Sequence, residues 1–245
     1  MTKLAGGGRG DPSRPWDDPR VARGMRAQLA LRRERLKAGE TPLGWKVGFG
    51  SPASLERLGL TGPLVGFLVN EARVVSGASV SVCGWTKAVA EPEVAVYLGG
   101  GVPGGSGLEE ARRAIVALGP AIELADVSFP ADEVERILAA NIYQRSVVLG
   151  PRSEAGVGGA VGGVVPRVYR DGRECASTTE PEALTGPLVQ LVRHVADVLA
   201  ACGEELRAGE VVIAGSVVPP LDVTADERLR FELAPLGAVE VALVA

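Results

Sequence analysis

Two glutamates separated by a single residue are the feature of this sequence best suited to chemistry. Glu91 and Glu93 lie in the apolar stretch Ala90-Glu91-Pro92-Glu93-Val94, which we predict to be a strand. Side chains alternate between the two faces of a strand, so both carboxylates would point the same way, about 7 Å apart. Like charges held side by side resist ionising unless a positive charge lies between them, and a bound cation is the simplest such charge.

A second apolar stretch supplies a third carboxylate. Glu123 lies between Ile122 and Leu124 in the predicted strand 120–127, where an unpaired charge is costly to bury. Three carboxylates with no His or Cys nearby favour a hard cation such as Mg²⁺ or Mn²⁺. The alternative is that all three face solvent on half-buried strands, because glutamate is common on the exposed faces of sheets.

Periodicity and capping signals predict the helices and strands that must position these residues. Asp17-Asp18-Pro19 predicts the start of a helix, in which Val21, Met25 and Leu29 form one apolar stripe. Further helices are predicted for 51–59, 106–119, 132–140 and 182–201, the third of the five beginning with a capping box at Ser106 and Glu109. Strands are predicted for 44–50, 65–69, 73–75, 80–82, 92–98, 120–127, 147–149, 164–169, 173–176, 211–214, 229–233 and 239–244.

The predicted strands are of antiparallel type and the helices are segregated from them. Asp171-Gly172, between two such strands, is a typical hairpin turn. This pattern favours the α+β class over a doubly wound α/β sheet. Residues 1–15 are rich in glycine, proline and charge, and we predict that they form a mobile tail.

An ordered set of segments resembles a known family. It comprises Gly44-Trp45-Lys46-Val47-Gly48, then Glu91-Pro92-Glu93, Pro120-Ala121-Ile122-Glu123, the stretch 208–216 and the closing stretch 235–241. In this order the segments resemble the 2-keto-4-pentenoate hydratase family of the fumarylacetoacetate hydrolase superfamily, from about residue 20 to the C-terminus. The resemblance implies a mixed β-roll at 79–245, preceded by a helical N-terminal portion at 16–78.

The resemblance also assigns roles to individual residues. It implies that Glu91, Glu93 and Glu123 bind the divalent metal, Mg²⁺ or Mn²⁺. The lysine after Gly-Trp is an active-site residue in that family, which implies a catalytic role for Lys46; the alternative is an exposed strand residue. Ser216 resembles a position at a strand end that faces the site, and we include it among the candidate catalytic residues.

Two stretches depart from the family pattern. Family members commonly read Asp-Asn-Ala-Ser-Ser before a Val-Leu-Gly strand, whereas residues 140–144 read Ala-Asn-Ile-Tyr-Gln. Tyr143 is therefore either a hydrogen-bond donor to the substrate or a packing residue. Hydratases often carry an acidic pair after the strand that follows the lysine, and here Asn70 and Glu71 stand there. Glu71 is accordingly a candidate catalytic residue.

The function implied is a metal-dependent lyase acting on a short 2-oxo or 2-hydroxy-dienoic acid through a metal-stabilised enolate. Water would add at the distal carbon, or leave in the reverse direction, with Lys46 assisting proton transfer. One alternative is decarboxylation of a 2-oxo dicarboxylate, as in the related 4-oxalocrotonate decarboxylases. Another is a catalytically silent homologue that binds metal. Related C–C bond hydrolases carry an early catalytic histidine, and here the first and only one is His194, for which we expect a structural role.

The bulk composition narrows the classes of partner. With 245 residues and a net charge of −4, the chain shows no basic patch with interleaved aromatics, so we expect no nucleic-acid partner. No apolar run reaches about 18 residues, so we expect no membrane span. We expect a cytoplasmic homo-oligomer with a small-molecule 2-oxo acid substrate. Three widely spaced cysteines suit a reducing compartment, and we predict that they are small apolar core residues: Cys83, Cys175 and Cys202.

Overall fold

The structure is a computed structural model that describes residues 14–245. The α-helices are α1 (Pro19–Lys37), α2 (Pro52–Leu58), α3 (Leu108–Ala114), α4 (Val134–Ala139) and α5 (Leu188–Ala201). The strands are β1 (Pro42–Gly48), β2 (Leu64–Val69), β3 (Arg73–Val74), β4 (Ser79–Ser81), β5 (Ala88–Leu98), β6 (Ile115–Asp126), β7 (Gln144–Leu149), β8 (Val165–Arg170), β9 (Arg173–Ser177), β10 (Val211–Ser216), β11 (Leu221–Asp222), β12 (Arg228–Ala234) and β13 (Gly237–Val244). The tail predicted for residues 1–15 lies almost wholly outside the described residues.

The strands form two mixed sheets that pack on each other. The larger sheet has the order β2-β1-β10-β5-β6-β7-β3, with β11 beside β5, and the smaller has the order β4-β13-β12-β8-β9. Strands β12 and β13 of the smaller sheet contact β6 of the larger one. The predicted α+β class and mixed β-roll are confirmed, and the Asp171-Gly172 turn joins β8 to β9 as a hairpin.

The long central pair of the larger sheet is the frame for the carboxylates. β5 and β6 run antiparallel, with Glu91 directly opposite Glu123 and Glu93 opposite Ala121. Both strands are apolar along almost their whole length, and their backbone partners on either side are β10 and β7. Strands buried on both faces hold their register firmly, because a slip of one residue would exchange core and site side chains.

Helix α1 follows its sequence signals closely. Asp18 caps it by accepting a hydrogen bond from the backbone N–H of Arg20, and Val21, Met25 and Leu29 are buried. The helix packs mainly on α4, and α5 packs on α3 and on the strands β1 and β10. Helix α5 therefore packs against two strands of the larger sheet.

Three predictions about local structure are wrong. Helix α3 ends at Ala114, because residues 115–119 pair with β5 as the first part of β6. Its predicted capping box does not form: Gly107 is the cap residue, and the hydroxyl of Ser106 has no partner in the described part of the chain. Helix α5 begins at Leu188, not near Glu182, whose carboxylate instead accepts a hydrogen bond from the Leu188 N–H at 2.7 Å.

The predicted division of the chain at residue 79 stays a prediction. The N-terminal portion supplies β1, which pairs with β10, and β2, which pairs with β1, so its strands belong to the same sheet as β5 and β6. Cys83 and Cys175 are exposed, so the prediction that the cysteines are core residues is wrong for these two.

Among the helices of residues 14–245, none combines the length and the apolarity that a membrane crossing requires.

Candidate active site

The three predicted carboxylates converge on one point. Glu91, Glu93 and Glu123 each offer an oxygen that lies within 4.8 Å of the others'. The pairing of β5 with β6 sets Glu91 opposite Glu123, and the two-residue period of the strand puts Glu93 on the same side as Glu91. Glu93 and Glu123 are 0% exposed, so the alternative that all three face solvent is wrong.

Within residues 14–245, two oxygens of this group have no hydrogen-bond partner. Glu93 accepts a hydrogen bond from the backbone N–H of Gly215 at 2.6 Å through Oε2, while its Oε1 has none. Glu123 accepts from the ammonium of Lys46 through Oε1, while its Oε2 has none. A buried, unpartnered carboxylate oxygen is costly, and a bound cation is the partner that would remove the cost.

The electrostatics of the three carboxyl groups follow from burial. Burial raises the pKa of Glu91, and the ammonium of Lys46 opposes the rise. Burial raises the pKa of Glu93 well above its ordinary value, and the charges of Glu123 and Glu91 raise it further. Burial also raises the pKa of Glu123, to about 7, although Lys46 opposes the rise. One lysine therefore does not compensate three carboxylates.

Lys46 lies on β1 with its ammonium aimed at the carboxylates. Its side chain is buried, and it donates hydrogen bonds to Glu123 and, at 3.3 Å, to the backbone carbonyl of Ile142. An ammonium carries three N–H donors, so one remains for a ligand. The alternative of an exposed strand lysine is wrong, because the side chain is 2% exposed.

The carbonyl that Lys46 contacts belongs to a strained turn between α4 and β7. Asn141, Ile142 and Tyr143 have φ angles of 51°, 53° and 62°, a conformation that non-glycine residues rarely adopt and that costs about 1–3 kcal/mol per residue. The side chain of Asn141 holds the turn by accepting from the N–H of Phe67 and donating to its carbonyl, each at 2.9 Å. These bonds tie the turn to β2.

Glycines on β1 and β2 leave room for this arrangement. A Cβ atom on Gly66 would lie 2.8 Å from Cγ of Lys46 and 3.0 Å from Oδ1 of Asn141. A Cβ atom on Gly48 would lie 2.9 Å from Cγ2 of Ile142. Glycine at both positions therefore allows the lysine and the turn to approach the sheet closely.

A cavity of about 360 Å³ opens beside the carboxylates. Glu91 and Lys46 line it, whereas Glu93 and Glu123 are buried and do not. Ser216 and Tyr143 also line it, and their catalytic roles stay predictions. The structure thus brings six of the seven candidate site residues together.

The two hydroxyl groups of the cavity are already bonded to backbone. Ser216 donates to the carbonyl of Val218 at 2.6 Å. Tyr143 donates to the carbonyl of Phe129 at 3.2 Å, and its ring lies on that of Phe129 with centroids 4.7 Å apart. Burial raises the pKa of Tyr143 to about 12, so its hydroxyl stays protonated near neutral pH.

Glu71 and His194 lie apart from this group. Glu71 is exposed and does not line the cavity; its carboxylate accepts hydrogen bonds from the N–H of Thr41 at 2.9 Å and from its hydroxyl at 3.1 Å. Its catalytic role stays a prediction without support from its position. The ring of His194 is hydrogen-bonded through Nε2 to the carbonyl of Pro63 at 2.8 Å, which fits the structural role expected for it.

Several contributors to the site are not indicated by residue type or spacing. The N–H of Gly215 and the carbonyl of Ile142 are backbone groups, and residue type does not reveal them. Asn141 matches the asparagine of the family stretch Asp-Asn-Ala-Ser-Ser, but its bonds to Phe67 reach a strand 74 residues away. Arg57 lines the cavity from α2, where the sequence shows only an exposed helical position.

The residues present fit a divalent cation. Glu91, Glu93 and Glu123 would hold it, because two of their buried oxygens are unpartnered and all three pKa values are raised. Carboxylate oxygens without nitrogen or sulfur ligands favour Mg²⁺ or Mn²⁺ over softer metals.

Known proteins resemble this chain along most of its length. The chain is 26% identical to a 4-oxalocrotonate decarboxylase of Pseudomonas sp, over 98% of this chain and 93% of the relative. It is 25% identical to a 2-hydroxyhexa-2,4-dienoate hydratase of Comamonas testosteroni, over 87% of this chain and 82% of the relative. No protein-family model matches the chain.

Solved structures share the fold. The 4-oxalocrotonate decarboxylase from Pseudomonas putida G7, complexed with magnesium and adipate, superimposes with a TM-score of 0.82 at 21% identity, covering 90% of this chain and 85% of its own. The fumarylpyruvate hydrolase from Pseudomonas aeruginosa, in complex with Mn²⁺ and pyruvate, gives 0.65 at 18% identity, covering 83% and 90%. These structures confirm the fold, and the curated relatives bear out the resemblance stated from the sequence.

Proposed function

We propose that this chain, a relative of the 2-keto-4-pentenoate hydratases and 4-oxalocrotonate decarboxylases, is a divalent-metal-dependent lyase. Its substrate would be a short 2-hydroxy-dienoic acid or the corresponding 2-oxo acid, and its reaction the addition of water. The relatives named as hydratases and decarboxylases support the broader class of lyase. The three converging carboxylates and Lys46, at the cavity, support the choice of a 2-oxo acid.

One observation carries the proposal: in residues 14–245, three converging carboxylates, two of them buried and one half-buried beside a cavity, share a single lysine. Such a group is poorly compensated by the protein alone, and a divalent cation would complete it. When bound by Glu91, Glu93 and Glu123, the cation would act as a Lewis acid toward a carboxylate oxygen and the 2-oxo oxygen of a substrate. We infer Mg²⁺ or Mn²⁺ from the oxygen-only ligand set.

Lys46 would then stabilise negative charge and transfer protons at the 2-oxo oxygen. Its ammonium is fixed by Glu123 and the Ile142 carbonyl, so its third N–H is available to a substrate at a defined place. A donor held in advance stabilises negative charge as it develops and needs no reorganisation during the reaction. The strained turn at 141–143 contributes by holding the Ile142 carbonyl in place.

The hydration of a 2-hydroxy-2,4-dienoate would take two steps, in which all atoms balance. The 2-hydroxyl oxygen loses a proton and the far carbon of the diene gains one, which leaves a 2-oxo acid with a double bond between C3 and C4. Water then adds across that bond, with oxygen to C4 and hydrogen to C3. Ser216 lines the cavity and keeps an acceptor oxygen, and we propose that it orients this water. Tyr143 stays protonated, so it would line the cavity as a polar residue and would not act as a base.

The direct test follows 2-hydroxypenta-2,4-dienoate by its diene absorbance, using protein stripped of metal and then supplied with Mg²⁺ or Mn²⁺. We expect loss of the absorbance only after metal is added. Metal binding without loss of the absorbance would reject this substrate while leaving the metal site in place. Absence of metal binding would reject the proposal as a whole.

Decarboxylation of a 2-oxo dicarboxylate is the second candidate. The observation that favours it is the likeness to a 4-oxalocrotonate decarboxylase over nearly the whole chain. The same metal centre and Lys46 would stabilise the negative charge left when carbon dioxide departs. Release of carbon dioxide from oxalocrotonate, measured beside the diene assay, separates the two reactions.

The proposed enzyme would be a homo-oligomer. This expectation comes from the sequence resemblance alone. Light scattering on the purified protein tests it, and a mass equal to that of one chain would overturn it.

A further inference from the structure

Three cationic side chains line the cavity, and their partners differ. Lys46 is bound to Glu123, and Lys87 is bound to Asp222 with 3.0 Å between Nζ and Oδ1. Arg57 forms no ion pair with any carboxylate of residues 14–245. The cavity therefore contains one positive charge that the described part of the protein leaves uncompensated.

Arg57 is nevertheless held in place. One of its terminal nitrogens donates to the carbonyl of Ala131 at 2.6 Å, and its guanidinium lies 6.0 Å from the centroid of the Phe49 ring. The helix that carries it, α2, is fixed at its start by the side chain of Ser51 and at its end by Gly59 in the left-handed conformation. An arginine anchored in this way spends less conformational entropy when it binds a ligand.

The free donors of Arg57 suit one kind of ligand. A guanidinium has five N–H donors in a planar fork, and the hydrogen bond to Ala131 uses one of them. The planar fork matches the two oxygens of a carboxylate better than it matches a hydroxyl or a methyl group. A substrate with a second carboxylate would supply the charge that Arg57 lacks.

We propose that Arg57 is a specificity residue that binds a second carboxylate of the substrate, so that the enzyme prefers 2-oxo dicarboxylates to 2-oxo monocarboxylates. The inference rests on the proposed function, because the metal centre would bind the 2-oxo acid group. It narrows the substrate class without deciding between hydration and decarboxylation. Lys87 serves as the comparison, since Asp222 already neutralises it.

The test compares two ligands of equal length in metal-loaded protein. 2-Oxoadipate and 2-oxohexanoate share the 2-oxo acid group and differ only in the terminal carboxylate. Their dissociation constants are measured by calorimetry in excess Mg²⁺ for the wild type, for Arg57→Gln and for the matched control Lys87→Gln. Both substitutions are at surface-accessible positions, and circular dichroism verifies that the variants fold.

We expect the wild type and Lys87→Gln to bind 2-oxoadipate about 10-fold or more tightly than 2-oxohexanoate, the usual range for a charge-assisted bidentate pair. In Arg57→Gln the difference should fall to about 2-fold or less, through weaker binding of 2-oxoadipate only. Equal binding of both ligands by the wild type would overturn the inference and leave the proposed function intact.

Two other outcomes are also decisive. A preference that survives in Arg57→Gln and disappears in Lys87→Gln would assign the carboxylate to Lys87 and overturn the role of Arg57. If neither ligand binds the Mg²⁺-loaded protein, the proposed function fails together with this inference, because the shared 2-oxo acid group is then not recognised.

Discussion

Two clusters of glutamates on antiparallel strands differ in how their negative charge is compensated. In the smaller sheet, Glu232 on β12 and Glu240 on β13 both contact Arg230, the latter at 2.9 Å. Glu232 also accepts a hydrogen bond from the hydroxyl of Tyr169 at 3.2 Å, and Glu240 lies 3.6 Å from Arg228. In this cluster two arginines compensate two half-exposed carboxylates.

The cluster of the larger sheet lacks such compensation. Glu91, Glu93 and Glu123 share the single ammonium of Lys46, and burial raises all three pKa values. By contrast, the hydrogen bond from Arg230 lowers the pKa of Glu232. An acidic cluster neutralised by arginine is stable without a ligand. A buried cluster with too few cationic side chains instead favours the binding of a cation from solution.

The largest expected effect comes from removing one charge of the buried cluster. Glu93→Gln keeps an acceptor for the Gly215 N–H but removes a ligand charge, and we expect a loss of at least about 1000-fold in kcat/KM because metal catalysis contributes several kcal/mol. The diene assay with saturating Mg²⁺ measures it.

Glu232→Gln is the matched control for that variant. It removes the same charge from the arginine-compensated cluster, and we expect unchanged activity and a change in stability below about 1 kcal/mol, as for exposed ion pairs. Comparable losses of activity in the two variants would contradict the distinction between the clusters.

The second effect concerns the cation of each cluster. Lys46→Met removes a donor that faces the cavity, and we expect kcat to fall about 100-fold or more, the usual range for a group that moves protons. Metal binding should persist, since the three carboxylates remain and lose a competing cation. Calorimetry with Mn²⁺ reports the binding, and Arg230→Met is the control expected to keep full activity. Loss of metal binding in Lys46→Met would show that the lysine is part of the metal centre.

A third effect tests the support of the site. Asn141→Ala removes both hydrogen bonds to Phe67 and leaves its buried backbone groups unpaired, so we expect the free energy of unfolding to drop by about 2–4 kcal/mol. Urea denaturation measures the drop. Asn70→Ala is the control, because Asn70 is exposed, and its loss should cost under about 1 kcal/mol. Equal stability of the two variants would mean that Asn141 does not hold the turn.

The smallest effect is a pH dependence of opposite sign in the two clusters. The pKa of Glu123 is about 7 in the folded chain against an ordinary 4.5. The unfolded chain therefore loses this proton first, and stability is full below the ordinary value and falls as pH rises toward about 7. Glu232 has a lowered pKa, so its small contribution is present above its ordinary value and is lost as pH falls.

Thermal unfolding of metal-free protein between about pH 5 and pH 8 tests this sign. We expect the melting temperature to fall as pH rises in EDTA, and the fall to shrink or vanish in Mg²⁺, because the cation stabilises the ionised carboxylates. A fall of the same size with and without Mg²⁺ would contradict the role given to the buried cluster.

Much of the site could be predicted from the sequence because strand geometry is local. The spacing of Glu91 and Glu93 and the apolar neighbours of Glu123 placed these residues on buried strands, and the structure does so. The order of segments, by resemblance, added Lys46 and Ser216. The start of α1 at Asp18 also followed from capping chemistry.

The rest depended on contacts between distant parts of the chain. The left-handed turn at 141–143 contains no glycine, and bonds from Asn141 to Phe67 and from Lys46 to Ile142 connect it to distant strands. Glu71 is acidic and follows the expected strand, yet its carboxylate turns to Thr41, a contact that local sequence does not encode. The pairing of β6 with β5 likewise shortened α3, because sheet formation outcompeted the helical pattern.

The most direct test of the account is a crystal structure of the protein soaked in Mn²⁺, with anomalous scattering used to locate the ion. We expect one strong peak bound by oxygens of Glu91, Glu93 and Glu123 at about 2.2 Å, beside the ammonium of Lys46. An empty cluster in crystals containing ample Mn²⁺, or an ion bound only elsewhere on the protein, would contradict it.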